Sequence, residues 1–197
     1  MAVTRFPWPM VQTPAKTMTL AEFLQQPETK PACEYIDGQI IQKPMPQGQH
    51  SRLQQKLVGT INAATEDARV ALALPELRCT FGGRSIIPDV AVFRWQRLPT
   101  HDDGTMANTF NAAPDWTIEI LSPEQSSTRV ISNIVHCLNH GGLGGWLIDP
   151  SENLVQVFLP NQHPASLEDP DNTLTLPDLT PDLTLTVGQV FGWLRVG

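Results

Sequence analysis

Two carboxylates stand where a soluble protein seldom leaves one unpartnered. Asp89 follows a proline in the apolar run Ser85-Ile86-Ile87-Pro88-Asp89-Val90-Ala91-Val92-Phe93, and Glu119 interrupts Asp115-Trp116-Thr117-Ile118-Glu119-Ile120-Leu121-Ser122-Pro123. A buried acid is costly unless it carries a cation, joins a hydrogen-bond network or takes up a proton at a raised pKa. If the two runs are adjacent strands, one divalent ion satisfies both acids. The structural alternatives are that Asp89 caps a turn and that Glu119 pairs with Arg84 or Arg78.

Other chemistry-bearing residues are less well placed. The three cysteines, Cys33, Cys79 and Cys137, are odd in number, far apart and in apolar contexts, and read as small core residues. His136 and His140 have i, i+4 spacing on one predicted helix, but no acid follows His136 as in a zincin and no third ligand is apparent. Gly141-Gly142-Leu143-Gly144-Gly145 reads as a helix end and turn, with none of the lysine that a phosphate-cradling loop carries.

The elements that must position the acids follow from pattern. An arm over 1–16 has three prolines and no period, and 17–197 is expected to be one domain with its core at about 50–160. Thr19-Leu20-Ala21-Glu22 fits a capping box opening a short helix that ends near Gln26. Cys33 to Ile36 and Gln39 to Gln42 flank Asp37-Gly38, a strong hairpin signal. Leu53, Leu57, Val58, Ile61 and Ala64 make one stripe of a helix over His50 to Ala64. Glu76 to Phe81 and Ile86 to Phe93 read as adjacent antiparallel strands, and Trp116 to Leu121 as a third.

A second helical stripe, Val130, Ile131, Ile134, Cys137 and Leu138, starts from an N-cap in Ser126-Ser127-Thr128. Gly145 to Pro150 and Leu154 to Phe158 form a further hairpin, with Trp116 and Trp146 in the core. An edge strand is expected around Leu174 or Leu183, and a last helix near Val187 to Leu194. Helix, strand, strand, strand, helix, strand is a mixed α/β layer, an α+β fold around a central sheet.

Composition limits the function classes. A net charge of −7 and a pI near 5.1 argue against a strong nonspecific nucleic-acid binder, since phosphate contacts need clustered Lys and Arg. No apolar stretch approaches the roughly 20 residues of a membrane span, and the first residues lack a signal-peptide core, so a cytoplasmic protein without a membrane partner is expected.

The ordered motifs Glu34-Tyr35-Ile36-Asp37-Gly38, His50, Pro88-Asp89-Val90, Glu119-Ile120-Leu121-Ser122-Pro123 and Gly145-Trp146-Leu147-Ile148-Asp149-Pro150 resemble those of the Uma-type family of restriction endonucleases, within the PD-(D/E)XK nuclease superfamily. The resemblance spans most of the chain. It implies a restriction-endonuclease-like core and a DNA endonuclease that holds Mg²⁺, or Mn²⁺, on Asp89, Glu119 and the backbone carbonyl of Ile120. Mg²⁺ suits such a site because it prefers one or two carboxylates plus waters, neutralises charge at a phosphate and lowers the pKa of an attacking water. No organic cofactor is implied, and a homodimer is expected because members that cut both strands often dimerise.

The resemblance also calls for a lysine, and here the sequence departs from the pattern. The place two residues after the glutamate holds Leu121, and the corresponding place on the following helix holds Asn133. Asn133 can orient a water without supplying charge. Arg129, Arg84 and His50 are candidates for substrate contact, although His50 reads first as a helix-start residue and Glu34 as a strand-edge glutamate. The loop from Arg94 to Pro114 is expected to border the cleft, with Arg94, Arg97 and His101 as its basic residues. The alternative function is a nuclease fold that no longer cleaves and binds nucleic acid or a protein partner.

Overall fold

The computed structural model describes residues 18–123, 125–179 and 183–197, so the arm expected over 1–16 lies outside the described residues. Helix α1 (Leu20–Leu24) opens on the expected capping box: Thr19 Oγ1 accepts the Glu22 N–H, and Glu22 accepts the Thr19 N–H. Strands β1 (Cys33–Ile36) and β2 (Gln39–Gln42) form the expected hairpin. Asp37 and Gly38 have φ of 50° and 84°, the positive pair that a type I′ turn demands.

Helix α2 (Gly48–Thr65) buries Leu53, Leu57 and Ile61 completely, while Ala64 faces outward and Thr65 takes the last inward place. The chain then makes β3 (Ala71–Pro75), a strand absent from the sequence reading. Its inward residues are Ala71 and Ala73, small enough for α2 to lie close. Asn62 of α2 clasps β3 at both ends of one peptide pair, donating to the Ala73 carbonyl at 3.0 Å and accepting the Ala73 N–H at 2.7 Å. An exposed sheet edge is thereby covered.

The run read as one strand from Ile86 to Phe93 is two. Strand β4 (Cys79–Phe81) turns through Gly82-Gly83 into β5 (Arg84–Ile86), and after Ile87-Pro88-Asp89 the chain enters β6 (Val90–Arg94) in a different sheet. Pro88 has no N–H to place in either ladder. The partner of β6 on one side is therefore β3, antiparallel, rather than the 76–81 segment, where Glu76 has a positive φ of 47°.

Strand β7 (Trp116–Ile120) pairs antiparallel with β6, and helix α3 (Ser127–Asn139) crosses over to β8 (Gly144–Asp149), parallel to β7. Ser126 is the N-cap residue, but its side chain makes no capping bond. Strand β9 (Leu154–Phe158) returns as a hairpin. The outer edge is β10 (Ala165–Leu167), not the neighbourhood of Leu174 or Leu183: Leu174 is a buried core residue whose segment makes one isolated bridge, Thr173 to Thr186. Helix α4 (Val187–Gly192) closes the chain on a second capping box, Thr186 with Gln189.

Two sheets result, a four-stranded one in the order β2-β1-β5-β4 and a six-stranded one in the order β10-β9-β8-β7-β6-β3. The main core lies between α2 and the larger sheet, where Trp116 and Trp146 meet edge to face at 4.7 Å. Among the described residues, no helix is long and apolar enough to cross a membrane.

Candidate functional site

Where the chain passes from one sheet to the other, its backbone groups cannot all join a ladder, and side chains take their place. Glu34 of β1 accepts the Ile87 N–H at 2.8 Å. Lys43, just beyond β2, donates to the Ile87 carbonyl at 2.6 Å. Gln54 of α2 donates to the Asp89 carbonyl at 2.8 Å. The geometry that breaks the strand thus gathers polar residues from β1, the end of β2 and α2 around Asp89.

Asp89 and Glu119 are each 2% exposed and face the same cation. Lys43 Nζ lies 2.8 Å from Asp89 Oδ1 and 3.7 Å from Glu119 Oε2. Asp89 Oδ2 accepts the Ile120 N–H at 2.7 Å and stands 3.1 Å from His50 Nε2. Asn133, from α3, donates to Glu34 at 3.4 and 3.2 Å on its two oxygens. Among the described residues, Glu119 Oε1, His50 Nδ1 and Asn133 Oδ1 are buried and find no partner.

The electrostatics separate the two acids. Burial alone would raise the pKa of Asp89, but the charge of Lys43, then the hydrogen bond and charge of His50, hold it below the usual carboxylate range. Burial pushes Glu119 well above its ordinary value, where repulsion from Asp89 and Glu34 adds to the rise and the attraction of Lys43 does not cancel it. Burial opposes the ammonium of Lys43, yet Asp89, Glu119 and Glu34 together raise its pKa. Asp89 is the anchored anion of the pair, and Glu119 the member whose pKa burial raises.

The donor set fits a hard divalent cation. Asp89 and Glu119, the latter with an unpartnered buried oxygen, are the two carboxylates that would hold such an ion. Among the described residues, no three or more His, Cys, Asp or Glu side chains are grouped closely enough to form an all-protein cage. The site opens on a cleft of about 390 Å³, lined among others by Lys43, His50, Asp89, Ser122 and Gln125.

Several sequence expectations meet a different geometry. His50, read first as a helix-start residue, stands against Asp89, and Glu34, read as a strand-edge acid, is 5% exposed within the acid cluster. Arg84 and Arg78 do not reach Glu119: Arg84 binds Asp37 through two nitrogens, and Arg78 likewise binds Glu28. Arg129 is exposed on the first turn of α3. Of the 94–114 loop, Arg97 binds Asp115 at 2.7 Å with Arg94 beside it at 3.9 Å, and His101 is exposed. Asn108 to Asn111 line a second cavity rather than the acid cleft.

His136 and His140 pack against Phe81, and His136 Nε2 meets the Phe81 carbonyl at 3.2 Å. Cys79 and Cys137 are buried thiols, with burial pushing Cys137 up to about 12, whereas Cys33 is only half-buried. The residue that sequence reasoning missed is Lys43. It lies in a short polar stretch before Pro44-Met45-Pro46, and its single local signal is a lysine directly after a hairpin.

The model of the Uma2 family, described as "Putative restriction endonuclease", matches residues 20–188. Among solved structures, a "putative nuclease belonging to DUF820" from Anabaena variabilis is 52% identical and superposes with a TM-score of 0.89, covering 90% of this chain and 99% of its own. No curated protein matches the sequence.

Proposed function

The chain belongs to the Uma2 family of restriction-endonuclease-like proteins, and from that premise we propose that it is a divalent-metal-dependent DNA endonuclease. The observation that carries this reading is the convergence of Asp89, directly before β6, and Glu119, on the neighbouring β7, on the one point that Lys43 Nζ marks at the wall of a cleft. Mg²⁺ or Mn²⁺ held there by the two carboxylates, with the Ile120 carbonyl as a further ligand, supplies charge neutralisation at the phosphate and a more acidic water.

The chain's own residues supply the positioning. The Ile120 N–H and His50 fix Asp89 Oδ2, leaving Oδ1 toward Lys43. Gln54 ties the Asp89 backbone to α2, so that the acid cannot follow the loop outward. Glu119 is fixed by the ladder of a strand buried along its whole length. Preorganised groups of this kind lower a barrier because they need not reorient as charge develops.

The test is plasmid cleavage by the purified protein with Mg²⁺ and, separately, Mn²⁺, beside an Asp89→Asn, Glu119→Gln variant. Cleavage that disappears in the variant is expected. Absence of cleavage by a folded wild-type protein on supercoiled, linear and single-stranded DNA would overturn the reading. It would favour the second one, a non-cleaving scaffold that binds nucleic acid or protein, which Leu121 and Asn133 at the two lysine places support.

A further inference from the structure

Neither of the two places that would carry the lysine supplies one. Leu121 packs with Val130, Ile134 and Leu147 in the apolar cluster beneath α3. Asn133 is 4% exposed and points at Glu34. A cation is nevertheless present among the same acids, brought by the segment after β2. Lys43 Nζ contacts Asp89 and Ile87 directly, lies 3.7 Å from Glu119, and keeps 13% of its side chain exposed on the cleft wall.

We propose that Lys43, on the segment after the β1-β2 hairpin, is the catalytic cation of this site, replacing a lysine that neither β7 nor α3 supplies. The proposal rests on the nuclease reading above. In that role the ammonium holds the attacking water and offsets negative charge gathering on the phosphate. The water oxygen forms a bond to phosphorus and the bond from phosphorus to the leaving sugar oxygen breaks. One water proton passes to solvent and the leaving oxygen takes one up, so no further reactant is required. Lys43 remains protonated throughout.

A positioning role predicts something different, because a lysine that only holds the two carboxylates in register would carry metal binding and cleavage down together when removed. The experiment measures Mn²⁺ affinity by calorimetry and plasmid cleavage for wild type, Lys43→Met, and Lys43→Met combined with Asn133→Lys. The expected result is a split: Lys43→Met binds Mn²⁺ more tightly, having lost a positive charge 2.8 Å from Asp89, yet cleaves about 100-fold more slowly or worse. Asn133→Lys, restoring a cation against Glu34, should recover most of the loss.

Lys43→Met that cleaves like wild type overturns this proposal and leaves the nuclease reading standing. So does a fall of affinity and cleavage together, a rise of both, or a loss that Asn133→Lys cannot repair. Wild-type protein that cleaves no DNA overturns both readings. Should Lys43→Met lose its melting transition, the double variant carries the test: cleavage supports the proposal, and a folded, inactive protein overturns it.

Discussion

His50 Nε2 stands 3.1 Å from Asp89 Oδ2, the same oxygen that accepts the Ile120 N–H at 2.7 Å. One carboxylate oxygen is therefore held by both a helix side chain and a strand backbone, and its orientation is fixed before any ligand arrives. Residues that orient a metal-binding carboxylate or imidazole typically contribute about 10–100-fold to affinity or activity. His50→Ala is expected to weaken Mn²⁺ binding and slow cleavage within that range while the protein stays folded. His50→Gln, which can still donate to Oδ2, should fall between His50→Ala and wild type. Equal values for all three would show that the Ile120 N–H suffices.

Removing the charge of Asp89 should be more damaging to the fold than removing that of Glu119. Asp89→Asn leaves the Lys43 ammonium facing an amide in a largely buried site, and breaking such a pair costs about 3–5 kcal/mol. Glu119, which burial already drives toward its neutral form, is mimicked well by Gln. Urea unfolding of the two single variants should therefore show the larger drop in midpoint for Asp89→Asn, and the reverse order would contradict the assignment of charge within the pair.

Helix α3 sits on β8 without room for one more carbon. A Cβ at Gly145 would collide with Ile134 Cγ2 and also approach the Thr117 carbonyl at 3.5 Å. Gly145→Ala is expected to cost about 1–3 kcal/mol of stability through forced repacking. It should also displace α3 and with it Asn133, so the variant's stability is best read by thermal or denaturant melting before any activity is compared.

His136 supplies a pH signature. Burial lowers its pKa below the ordinary 6.5, Arg84 and His140 lower it further, and the Phe81 carbonyl and Asp37 act in the other direction. Below about pH 6.5 the unfolded chain therefore binds more protons at this position than the folded one. Its contribution to stability is fully present above that pH and is lost as pH falls toward the folded value. Denaturant midpoints measured from pH 7.5 to 5.5 should decline, and less steeply in His136→Gln. Parallel slopes would assign the decline to other groups.

Local chemistry was readable from sequence, and long-range closure was not. Asp37-Gly38, Thr19 with Glu22 and the Leu53-Leu57-Ile61 stripe announce their structures because the deciding interactions lie within a few residues. The acids Asp89 and Glu119 were legible as charges inside apolar runs. The division at Pro88 was hidden because the run stays apolar across it, with each half buried in a different sheet. Strand β3 was hidden because alternating Ala and Leu has no strong preference for a strand, and its Ala71 and Ala73 are chosen by the closeness of α2. Lys43 could not be found from spacing, since 46 residues separate it from Asp89 and no local pattern ties them together.

The crossing of the chain at Ile87-Pro88-Asp89 has a temporal consequence. Glu119 belongs to the larger sheet and Asp89 leads into it, while Glu34 and Lys43 come from and directly after the hairpin of the smaller one, so neither sheet alone contains the full constellation. In chain order Lys43 and Asp89 precede Glu119 of β7, and α3 with β8 must still follow to bury that strand. Docking of the smaller sheet on the larger is thus a precondition for the centre: until the hairpin of β1 and β2 has closed on the β6 and β7 pair, Lys43 has no acids to meet and Glu34 no Ile87 N–H to accept.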